Sequence, residues 1–153
     1  MYSRRHHMAE TSHSLLQRLR RGADGPAWER LVAVYSPLLR GWLARYEVQP
    51  ADADDLLQDV LLVLMRELPR FEHSRQAGAF RAWLRTILVH RLKDYWRSRK
   101  RRPAATGDSD VFRRLDELED GASHLSGIWD REHDQHVLQQ LLATLDTRFA
   151  PAT

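Results

Sequence analysis

Residues 50–69 read PADADDLLQDVLLVLMRELP, and this stretch decides the fold class. Pro50 suits the first turn of a helix, where its missing N–H would have had no partner. Asp52, Asp54 and Asp55 follow, placing negative charge near the positive end of the helix dipole. The middle, LLQDVLLVLM, is apolar nearly all round, which predicts the central and most buried helix of the protein. Leu68-Pro69 closes it, because a residue before proline is pushed out of the helical region.

The same periodicity extends on both sides. Thr11–Arg21 (TSHSLLQRLRR) predicts a short helix with Ser or Thr as cap and Gly22 at its end. Gly25-Pro26 opens another, in which Trp28, Leu31, Val32, Tyr35, Leu38, Leu39, Trp42, Leu43 and Tyr46 form one continuous apolar face. Pro37 lies inside that pattern and predicts a kink or a break. On the other side, RFEHSRQAG (70–78) has no period and reads as a loop. FRAWLRTILVHRLKDYWRSRKRR (80–102) then returns to helical spacing at Phe80, Trp83, Leu84, Ile87, Leu88, Leu92, Tyr95 and Trp96. Pro103 ends the pattern, and PAATGDSD has the composition of a linker. DVFRRLDELEDGASHLSG is acidic and at best weakly helical. A last helix is expected from about Asp130, with Leu138, Leu141, Leu142, Leu145 and Phe149 on one face. No strand signal stands out, so the expected fold is an all-α compact helical bundle. The expected division is a flexible segment 1–11, a helical domain 12–102, an acidic linker 103–129 and a terminal helical segment 130–153.

Composition sets the outer bounds. A chain of 153 residues supports one core of ordinary size. No run approaches the roughly 20 apolar residues needed to span a bilayer, and MYSRRHHMAE lacks the apolar stretch of a signal peptide, so a cytoplasmic protein without a membrane role is expected. The absence of cysteine rules out disulfides and thiolate metal sites. Net charge is only +3, but it is written in blocks. Residues 51–80 carry six acids and three bases, 81–102 nine bases and one acid, and 103–134 nine acids and three bases.

The basic block is the strongest functional signal. Phosphates call for Lys and Arg, and unstacked bases call for aromatic or guanidinium planes; both kinds are interleaved here. The apolar members have to pack somewhere and read as core. The terminal WRSRKRR cluster, with Arg97, Arg99 and Lys100, reads as polyanion contact, since the helix itself offers only Asp94 to neutralise it. The acidic turn with Asp52, Asp54, Asp55 and Asp59 has three readings. In order, these are a complement to the helix dipole, a docking face for a basic or polar partner helix, and, last, a Mg²⁺ site of a phosphate-chemistry enzyme. His6, His7, His13, His73, His90, His124, His133 and His136 show no convincing ligand spacing. No nucleophile with its base, no Gly-rich phosphate loop and no zinc pattern appears, so neither an enzyme, a cofactor nor a metal is predicted.

Taken in order, AWERLVAVYSPLLRGWLARY, DADDLLQDVLLVLMRELPRFE and GAFRAWLRTILVHRLKDYWRSRKRR resemble region 2 of a bacterial RNA polymerase sigma factor, of the extracytoplasmic-function group within the sigma-70 family. The likeness covers roughly residues 12–102, and DADDLLQD together with FRAWLRTI carries its specificity. It implies a helical bundle without enzymatic activity. It implies that Asp54, Asp55, Gln58 and Asp59 bind the clamp coiled coil on the largest subunit of core RNA polymerase. It further implies that the 70–79 loop and the following helix recognise and open the promoter −10 element, through Arg75, Phe80, Trp83, Arg85, His90, Lys93 and Tyr95. An anti-sigma factor is a further partner that the likeness admits. Where complete members carry region 4, a helix-turn-helix domain that reads the −35 element, WDREHDQHVLQQLLATLDTRFAPAT resembles only its entry helix. A sigma-like decoy that occupies polymerase without supporting initiation is therefore the alternative reading.

Overall fold

The computed structural model describes residues 25–71, 78–99 and 108–149. The predicted helix at Thr11–Arg21 and most of the 70–79 loop lie outside them. The described residues form five α-helices and no strand: α1 Gly25–Arg45, α2 Pro50–Glu67, α3 Ala79–Arg99, α4 Asp108–Glu119 and α5 His124–Phe149, with a 3₁₀ turn at Leu68–Arg70. The expected all-α bundle is what the chain forms. Consecutive pairs α1/α2, α2/α3 and α3/α4 pack together, and α5 lies against α1, α3 and α4.

The core is built chiefly from α1, which buries ten residues from Ala27 to Leu43. Every member of its predicted face is out of water, Leu31, Tyr35, Leu39 and Leu43 completely. This corrects the expectation that α2 is the most buried helix. Leu56, Leu57, Val60, Leu61 and Leu64 of α2 are buried, but Leu62, Val63 and Met65 are only half-buried. An unbroken apolar run gave no direction to the helix; packing against α1 and α3 did. Nor does Pro37 break α1, which continues to Arg45. Pro37 is exposed, so water can serve the Ala33 carbonyl that loses its donor. The helix ends in a turn where Glu47 takes a φ of 63° and the Val48 N–H donates to the Leu43 carbonyl at 3.3 Å. Glycine holds this left-handed position with less strain.

The larger correction concerns residues 108–129. Far from a weakly helical linker, 108–119 is helix α4, and α5 begins at His124, six residues before the expected Asp130. Val111, Leu115 and Leu118 recur at four-and-three spacing and are buried, as is Trp129 of α5, in the same cluster as α1, α2 and α3. The acids of this stretch fill the other face. Ser123 caps α5, accepting the Ser126 N–H at 3.0 Å. The buried Ser126 hydroxyl closes the α4–α5 turn, 2.8 and 2.7 Å from the Leu118 and Asp120 carbonyls. Trp129 packs edge-on to Trp42, with ring centres 5.4 Å apart, and its indole N–H donates to the Arg81 carbonyl at 2.9 Å.

Helix α5 also carries a buried histidine. The His133 ring stacks on Tyr35, with Nε2 2.8 Å from the Tyr35 hydroxyl and Nδ1 3.0 Å from Asp134. A neutral ring satisfies both contacts: Nδ1–H donates to the carboxylate while Nε2 accepts the tyrosine O–H. Burial pushes the His133 pKa below its ordinary 6.5, against a smaller opposing effect of Asp134.

Two predictions follow from this packing. Leu115→Ala should cost about 2 to 5 kcal/mol, the range for truncating a buried leucine. Urea unfolding followed by circular dichroism measures it, and an unchanged midpoint would mean that α4 is not part of the core. His133 makes stability depend on pH. Below about 6.5 the unfolded chain takes up a proton that the folded ring resists, so stability should fall as the pH falls through that range. Urea midpoints measured across it should decline less steeply in His133→Gln than in the wild type.

Candidate nucleic-acid interface and acidic docking face

Helices α2 and α3 carry the two charged surfaces singled out by the sequence, and they meet at one end. Pro50 starts α2, which brings Asp52, Asp54, Asp55 and Asp59 onto its first three turns. These acids do not share one environment. Asp52 accepts hydrogen bonds from the Tyr95 hydroxyl at 2.7 Å and from the Arg99 guanidinium at 3.0 Å, so it joins α2 to the end of α3. Asp54 is paired with Arg40 of α1. Asp55 and Asp59 are exposed, and neither forms an ion pair with any described residue. Both line a groove of about 260 Å³ between α2 and α3, together with Asp52, Leu56, Arg91, Asp94, Tyr95 and Ser98. Gln58 is half-buried beside them. Of the four acids, then, Asp55 and Asp59 are the ones offered outward.

Arg75 and Lys100 lie outside the described residues; the other expected DNA residues fall into three groups. Phe80 is buried, 5.6 Å from Tyr35 and 5.8 Å from Trp83 between ring centres. Trp83 is half-buried and lies 4.5 Å from Phe71 in a near-parallel stack, so one side of its ring is already occupied. Arg85 is buried too. Its guanidinium lies beneath the α4–α5 turn, 3.3 Å from where a Cβ on Gly121 would stand. Phe80 and Arg85 are therefore not surface groups.

The second group faces α4. The Lys93 ammonium donates to Asp116 at 2.7 Å and to Glu119 at 2.9 Å, with only 14% of its side chain exposed. The Asp116 bond pushes the Lys93 pKa up, with Glu119 adding to it against burial; Lys93 in turn holds Glu119 below the usual carboxylate range. His90 approaches the same Glu119 at 3.3 Å.

The third group is the end of α3. Arg99 lies over the Tyr95 ring at 5.3 Å while reaching Asp52, and burial first, then the bond to Asp52, raises the Tyr95 pKa. Arg97 is exposed and 3.1 Å from Asp94. The sequence showed one acid within α3 itself; the fold brings two more to Lys93 from α4 and one to Arg99 from α2.

Residues 31–102 match the family model for sigma-70 region 2. The chain belongs to the sigma-70 family, in its extracytoplasmic-function group. It is 31% identical over 129 residues to the ECF RNA polymerase sigma-E factor of Haemophilus influenzae, covering 83% of this chain and 64% of that one. It is also 31% identical over 119 residues to the RNA polymerase sigma-H factor of Pseudomonas aeruginosa, covering 78% and 58%. With the ECF sigma factor SigF of Caulobacter vibrioides it shares 30% identity over 96 residues, covering 61% and 52%. The chain thus spans less than two thirds of each relative's length. No solved structure gives a significant match.

The sigma-70 region 2 match takes in α2 and α3 with their two charged faces, and stops before α4. Four groups that shape these faces were not singled out from the sequence: Phe71, Arg81, Asp116 and Glu119. Arg81 reaches Asp130 at 3.1 Å and Asp134 at 2.6 Å, fastening α3 to α5. The i,i+3 spacing of Asp116 and Glu119 on the polar side of a Val-Leu-Leu pattern was the available signal. Among the described residues no group of three or more His, Cys, Asp or Glu is placed to hold a metal ion, and no helix is long and apolar enough to cross a membrane.

Asp52 should behave as a structural residue. Asp52→Ala leaves the Tyr95 hydroxyl and the Arg99 guanidinium without their shared acceptor. The expected loss is about 1 to 3 kcal/mol in urea unfolding, and no loss would reduce these bonds to surface contacts.

Proposed function

We propose that this chain acts as the polymerase-binding and promoter-opening part of a sigma factor. The acidic face of α2, with Asp54, Asp55, Gln58 and Asp59, docks on the clamp coiled coil of the largest subunit of core RNA polymerase. The outer side of α3 and the 70–79 loop bind the −10 element as its strands separate. The observation that carries the reading is the pairing of faces: Asp55 and Asp59 stand exposed, without an ion pair to any described residue, beside the cationic C-terminal end of α3.

The physics suits two different partners. Exposed carboxylates at a helix start keep most of their hydration until a basic partner arrives, so docking there is electrostatically steered. Arg97 and Arg99 at the end of α3 provide backbone contacts whose strength comes from counterion release, Tyr95 provides ring surface beside them, and Trp83 provides it near the start of the helix. No bond is made or broken. The protein lends polymerase its promoter choice by holding unpaired bases, and an anti-sigma factor is a natural competitor for either face.

Pull-down of core polymerase tests the docking face. Asp55→Arg/Asp59→Arg should lower recovery at least about tenfold relative to wild type, since each charge reversal replaces attraction by repulsion. Equal recovery would remove α2 from the interface. Run-off transcription with the same polymerase separates an initiating factor from a decoy, which would suppress transcripts and never start them.

A further inference from the structure

Helix α4 brings anions onto the side of α3 that the proposed function gives to DNA. Residues 108–119 contain five acids, Asp108, Asp110, Asp116, Glu117 and Glu119, and two bases, Arg113 and Arg114. Asp110 spends its charge on its own helix, 2.6 Å from Arg113 and 3.3 Å from Arg114. Asp116 and Glu119, about two turns further on, converge on Lys93, and Glu119 also reaches His90. The turn that follows covers Arg85. Three of the α3 residues expected at DNA are therefore met by α4 or its turn.

We propose that α4 is a built-in competitor for nucleic acid: Asp116 and Glu119 occupy the α3 cations in the free chain, and DNA has to displace them to reach Lys93. This rests on the reading of α3 as the DNA face. For an ammonium, two carboxylates at hydrogen-bond distance are the same kind of partner as a phosphate. They differ in being tethered, so their effective concentration is high and independent of how much DNA is present. Apolar packing holds the competitor in place, because Val111, Leu115 and Leu118 on the adjoining face of α4 are buried. The contact with Lys93 is thus set by the fold and not by the chance meeting of two surface chains. The consequence is a promoter face that stays quiet toward stray polyanions.

The experiment uses the full chain and a short labelled single-stranded DNA, followed by fluorescence anisotropy at low and moderate salt. Asp116→Asn/Glu119→Gln should bind about tenfold more tightly than wild type, as freed cations gain phosphate contacts. Asp110→Asn/Glu117→Gln removes the same two charges without touching a described α3 cation, and should bind like wild type. If both double variants tighten binding equally, net charge is the cause and the competitor is overturned. If wild type and Asp116→Asn/Glu119→Gln bind equally well, the DNA face stands and the competitor is again overturned. If neither binds, the DNA reading of α3 itself falls, and the competitor with it.

Discussion

Helix α3 has to satisfy two demands that oppose each other. Leu84, Leu88, Val89 and Leu92 are completely out of water, which fixes the helix against α2 and α4. Yet the same stretch carries nine cations against one anion from residue 81 to 102, and a helix so charged repels itself wherever its cations lack partners. The fold resolves the conflict by surrounding α3 with acids from other helices: Asp52 from α2, Asp116 and Glu119 from α4, Asp130 and Asp134 from α5. Most of the remaining architecture can be understood as the means of delivering them.

Delivery explains why α4 and α5 belong to the same core as the first three helices. A carboxylate on a loose tail would gain little from a surface cation, since such pairs are worth about 0 to 1 kcal/mol once side-chain entropy is counted. Seating Val111, Leu115, Leu118 and Trp129 in the core fixes the acids beforehand, so less ordering remains for each ion pair to offset. Trp129 serves twice, packing edge-on to Trp42 and donating to the Arg81 carbonyl beside the point where the Arg81 side chain meets Asp130 and Asp134.

Much of this was legible in the sequence wherever apolar residues kept a helical period. The α1 face from Trp28 to Tyr46 and the inner face of α3 could be read residue by residue, because burial follows directly from spacing. Two misreadings have specific causes. LLQDVLLVLM offered no polar face, so its periodicity could not say which side looks inward. DVFRRLDELED offered so much charge that its Val111, Leu115 and Leu118 stripe was passed over. The candidate site was less legible than the fold, since exposure depends on what another helix places above a residue. Nothing near Arg85 or Lys93 in the chain announces that a turn and two carboxylates from 23 or more residues later will cover them.

The alternating charge blocks also acquire a geometric meaning. Asp52 lies in the first turn of α2 and Arg99 in the last turn of α3, so each complements the dipole of its own helix. Their mutual ion pair then requires the start of α2 to lie beside the end of α3, an antiparallel arrangement. One acid and one base thereby satisfy two helix ends and fix a register, and Tyr95, bonded to the same carboxylate, adds direction to the contact. Asp55 and Asp59, three and seven residues after Asp52 in the sequence, have no such duty toward any described cation. Within a single acidic turn, the residue that holds the fold together and the residues left for a partner are separated by which of them a neighbouring helix can reach.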